Sequence, residues 1–75
     1  MSSNHTIICF CALDDCLISN SGVNYAVRDY ILEHKDSFIG FEVVNMVALI
    51  KRELLNQPII DQAFWKDFIE KLERE

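Results

Sequence analysis

Four side chains that could bind a soft metal or act as nucleophiles fall within the first sixteen residues: His5, Cys9, Cys11 and Cys16. Zinc takes thiolate and imidazole ligands in a tetrahedron, and structural sites usually present them as paired C-x-x-C knuckles on turns. Here the spacing is H-x₃-C-x-C-x₄-C, set in apolar sequence. On a helix Cys9 and Cys11 would point roughly 160° apart and could not share one ion. Buried, inert thiols are the expected state of such cysteines. A Cys–His nucleophile would need His5 or His34 beside a thiol in a cleft, and so short a chain has little room for one. Asp14 and Asp15 are adjacent, so on a helix their carboxylates diverge, and magnesium normally needs further oxygen ligands. No metal, no cofactor and no enzymatic activity is therefore expected.

The elements that would position these groups are organised around Phe38–Leu55, FIGFEVVNMVALIKRELL, the longest apolar segment. At about 100° per residue, Glu42, Asn45, Arg52, Glu53 and Asn56 share one polar sector. Nearly everything else is apolar, whereas a surface helix usually carries only an apolar stripe. This helix must be covered on most of its circumference. Phe38 and Leu49 fall inside the polar sector. A strand over Phe41–Val47 is the rival, but the segment is too long for one strand and rich in helix formers.

Residues 5–18 are expected to be helical, with Ser3 or Asn4 as a cap. The alternative is an α+β arrangement with a short strand at about 5–11. Ser19-Asn20-Ser21-Gly22 is a break. Ser21 is the expected N-cap of a helix over 22–34, with Val23, Ala26, Val27, Tyr30 and Ile31 on one face. Asp36 or Ser37 is the expected cap of the central helix. Gly40 either admits a close neighbour or is followed by the start of regular helix. Pro58 stops the central helix. Asp61 is then the expected N-cap of a last helix, with Ile60 and Trp65 as a hydrophobic staple. That helix has Phe64, Trp65, Phe68, Ile69 and Leu72 on one face, and Asp67–Lys71 and Glu70–Arg74 as acid-before-base pairs. The whole reads as one all-α domain, residues 1–75: a small bundle of three to four short helices. The central helix is expected to lie between the second helix and the aromatic last one.

The net charge is −5 and 51% of residues are hydrophobic. An acidic chain without clustered Lys and Arg disfavours nucleic-acid phosphates and anionic membranes. No apolar run is long enough to span a bilayer. Three cysteines, an odd number, cannot build a disulfide framework, and reduced thiols suit the cytoplasm. A chain this short buries only roughly 60% of its unfolded surface, which favours oligomerisation. The expectation is a homodimer, with the cysteine-bearing segment or the outer face of the central helix in the interface. Its expected role is that of a small acidic adaptor or inhibitor that binds another protein through apolar helix faces. The expected contact residues are Trp65, Phe68, Leu49, Phe38, Tyr25 and Leu32. Charged replacement of Trp65 or Leu49 is expected to abolish capture and spare helicity. A DNA-binding regulatory dimer is the second reading, although its recognition helix would carry only Lys51 and Arg52. A thiol or metal site is the third.

Overall fold

The computed structural model describes residues 4–19 and 22–74, with the backbone alone at Asn4 and His5. Four helices follow one another: α1 (Asn4–Leu17), α2 (Tyr25–Glu33), α3 (Gly40–Glu53) and α4 (Ile59–Glu73). Single 3₁₀ turns, Lys35–Ser37 and Leu54–Asn56, lie between α2 and α3 and between α3 and α4. No strand occurs among the described residues, so the architecture is the expected all-α bundle. The strand alternative at 5–11 gives way to helix. Thr6, Cys9, Leu13, Cys16 and Leu17 are the buried positions there, and their steps of three and four are helical.

Several boundaries differ from expectation for local reasons. Gly22 has φ +91°, outside the right-handed region, so it cannot open a helix. The second helix starts later, at Tyr25, where Asn24 Oδ1 accepts from the Val27 N–H at 3.1 Å. The expected cap Ser21, and Ser3 at the first helix, lie outside the described residues. Asp36 and Ser37 belong to a 3₁₀ turn and do not cap α3. The carboxylate that serves this end is Glu42, whose Oε1 accepts from the Ile39 N–H at 3.0 Å. Gly40 is itself the first residue of regular helix, and a Cβ there would meet nothing within 4 Å, so neither a close neighbour nor a helix start after the glycine is found. Pro58 is the N-cap of α4; its carbonyl accepts from the Asp61 and Gln62 N–H groups. Asp61 therefore sits within the first turn, where its charge suits the helix dipole. No Ile60–Trp65 staple forms, because Ile60 is 84% exposed while Trp65 is buried.

Two long-range hydrogen bonds give the helix directions. Gln57 Nε2, just past α3, donates to the Leu17 carbonyl at the end of α1 at 2.9 Å. Lys35 Nζ, just past α2, donates to the Lys71 carbonyl near the end of α4 at 3.0 Å. So α1 and α3 run one way and α2 and α4 the other. α1 touches α2 and α3, and α4 touches α3 and α2. The central helix is thus packed between α1 and α4, and not between α2 and α4 as expected. Only part of the sector that reads as polar in sequence turns inward: Glu42 and Leu49 are buried, while Asn45, Arg52 and Asn56 stay exposed. Leu13, Ile31, Met46, Ile50, Trp65, Phe68 and Leu72 fill the centre. One stripe from each helix is represented, as a four-helix core requires.

Candidate interaction surface

Burial divides the six expected contact residues. Trp65 and Phe68 lie in the centre of the bundle, 1% and 0% exposed, with rings stacked at 6.0 Å between centroids. Phe38 and Leu49 are buried as well. These four offer no surface to a partner on the folded chain, so their apolar character is used by the core. Leu32 is half-buried. Only Tyr25 is open, and it is already engaged. Its ring meets Phe64 edge-on at 5.2 Å, and the Arg28 guanidinium lies 4.9 Å from its centre.

The cysteines do not converge. Cys9 is fully buried, and desolvation pushes its thiol up from 9.0 to about 11, so it is not a thiolate at neutral pH. Cys11 faces outward from the same helix and Cys16 faces inward. Among the described residues no three His, Cys, Asp or Glu side chains stand close enough to hold a metal ion. His34 packs against Tyr30, ring centroids 4.5 Å apart, and His5 has no described side chain. Asp14 and Asp15 border a shallow exposed depression with Cys11, Ile18 and Ser19.

Apart from Tyr25, the exposed large apolar residues are ones that sequence reasoning did not single out as contacts. Leu55, Ile59 and Ile60 are 84–86% exposed. They surround Pro58, where the chain turns from α3 into α4. Pro58 caps a helix whose buried face begins only at Trp65, so the first turn projects beyond the core. The hydrogen bond from Gln57 to Leu17 holds the end of α1 beside this turn, which brings exposed Ile18 to the same end of the bundle. The available signal was the proline: two isoleucines directly after a helix stop lie in a first turn, ahead of the apolar periodicity. Elsewhere, Ile7 and Ile8 on α1 and Phe41 and Val44 on α3 are more than half exposed.

Charge is spread without a basic patch. Arg28, Arg52, Lys71 and Arg74 are each paired with an acid one or four residues before or after them, at 2.8–3.0 Å. The two expected i,i+4 pairs, Asp67–Lys71 and Glu70–Arg74, are among them. Among the described residues no helix is long and apolar enough to cross a membrane. No protein-family model, no curated protein and no solved structure matches this chain.

Proposed function

We propose that this chain is a non-enzymatic interaction module, an adaptor or inhibitor that docks on another protein through the apolar end of the bundle around Pro58. The observation that carries the reading is the near-complete exposure of Leu55, Ile59 and Ile60, 84–86%, against 47–65% for the other exposed large apolar side chains. Covering one such side chain is worth about 1.5–3 kcal/mol. Three reach about 5–9 kcal/mol, comparable with the roughly 4–15 kcal/mol lost on association. A partner must therefore cover neighbouring surface too, and Ile18 is the apolar residue held beside the turn. Apolar anchors on a short helical turn fit an apolar groove in the partner. Three free thiols suit a reducing compartment, and a cytoplasmic location belongs to this reading. The acidic balance and the paired arginines favour a protein partner over nucleic acid.

Affinity capture with three baits tests the reading: the unaltered chain, Ile59→Asp/Ile60→Asp, and Lys66→Glu as a solvated control. The expected result is one defined protein recovered by the first and third baits and lost from the second. Equal recovery by all three, or no specific recovery by any, overturns it.

A further inference from the structure

The outer faces of α1 and α3 carry matching stripes of opposite charge. On α1, Ile7, Cys11 and Asp14 are exposed at steps of four and three. On α3, Val44, Ala48 and Lys51 are exposed at the same steps. Laid side by side in the same direction, the two stripes set Ile7 against Val44, Cys11 against Ala48, and Asp14 against Lys51. This is the four–three spacing at which parallel helices interlock their side chains. Both stripes face away from the bundle that contains them, so they meet only between two chains.

The charges are free for this use. Neither Asp14 nor Lys51 has an ion-pair partner among the described residues. Of the seven cations, four are paired with an acid close by in sequence and Lys35 is held by the Lys71 carbonyl. That leaves Lys51 and Lys66, and Lys51 is the one that extends an apolar stripe. Val44, Ala48 and Lys51 also border a groove between α3 and the end of α4, lined by Val43, Val47 and Glu73, that a helix ridge can enter.

We infer that the outer face of α1 in one chain docks in parallel on the outer face of α3 in a second copy, with Asp14 opposite Lys51 fixing the register. A second copy always presents the complementary stripe with the right spacing and sign, which no other partner must do. The contact is heterologous, so each pair leaves one stripe of each kind open and assembly grows with concentration unless a ring closes. It spans only about 10 Å of helix, so it is weak and strongly dependent on the charge pair. It uses a surface distinct from the end around Pro58, and it holds or fails separately from the docking role proposed there.

Light scattering across a concentration series tests it with the full chain, Asp14→Lys, Lys51→Glu, and an equimolar mixture of the two variants. Both positions are exposed, and circular dichroism checks that each variant keeps its helices. The expected result is a mass above that of one chain that rises with concentration for the unaltered protein. Each variant alone should associate about a hundredfold more weakly, because like charges would then meet. The mixture should recover association, since each variant supplies the charge that the other has lost. A protein that stays monomeric at every concentration overturns the inference. So does association that ignores both reversals, or reversals that weaken association without rescue in the mixture.

Discussion

Gln57 Nε2 lies 2.9 Å from the Leu17 carbonyl oxygen and donates to it across forty residues of chain. The bond satisfies an end carbonyl of α1 that no later turn of that helix can reach. It also ties the α3–α4 turn to the end of α1. Gln57 Oε1 is buried with no donor among the described residues, which offsets part of the gain. Gln57→Ala should therefore cost only about 1 kcal/mol. In a domain of this size that lowers the thermal midpoint by about 4–8 °C. Gln57→Glu should cost more, because it buries a carboxylate against a carbonyl. Thermal melts followed by circular dichroism check both, and a Gln57→Glu midpoint equal to the unaltered one would show that the bond contributes nothing.

Trp65 should behave as a core residue in every assay. Its emission should be blue-shifted and resist acrylamide quenching until the chain unfolds. Trp65→Ala should cost about 3–5 kcal/mol, a large part of the stability of so small a domain. Trp65→Asp should unfold it. A helical, well-folded Trp65→Asp chain would contradict the packing described. Charged replacement at Trp65 or Leu49 is thus unsuitable as a binding control, contrary to the expectation from sequence.

The thiols should separate by reactivity and by pH. Cys11 should react with a thiol reagent in the folded protein, and Cys9 only after unfolding. Burial raises the Cys9 pKa from 9.0 to about 11. Between those values the unfolded chain releases its proton while the folded chain retains it, so rising pH favours unfolding. The stability linked to Cys9 is complete below pH about 9 and is lost as pH climbs toward about 11. Denaturant titrations at several pH values should show that decline. Cys9→Ala should flatten it.

The end around Pro58 should be a stability-neutral surface. Leu55→Ser and Ile59→Ser/Ile60→Ser should change folding free energy by no more than about 0.5 kcal/mol per site. They should also reduce binding of a fluorescent hydrophobic dye to the folded chain. A loss of several kcal/mol would place these side chains in the core and remove the basis for docking there.

Composition and periodicity were enough to favour an all-α chain of three to four short helices, and the structure has four. The apolar stripe of α4, the stop at Pro58 and the two ion pairs on α4 all follow from spacings within one or two helical turns, and the structure bears them out. Caps were less legible. Asn24, Glu42 and Pro58 do the work assigned to Ser21, Asp36 or Ser37, and Asp61. Several adjacent polar residues can satisfy the same end group, and the backbone angle at one residue, such as φ +91° at Gly22, decides among them.

The candidate surface was the least legible part, for a physical reason. Sequence determines how apolar residues are distributed around each helix, but not which arc meets a neighbour. α3 is apolar on most of its circumference, so its own pattern cannot choose a face. Packing against α1 and α4 made that choice, burying Glu42 and Leu49 and leaving Phe41 and Val44 in solvent. In the same way, Trp65 and Phe68 read equally well as core or as anchor until α4 was set against α3 and α2. Local spacing fixed the helices and their stripes because those interactions act within a few residues. Tertiary structure alone decided core against surface, because burial depends on what lies across the bundle, tens of residues away along the chain.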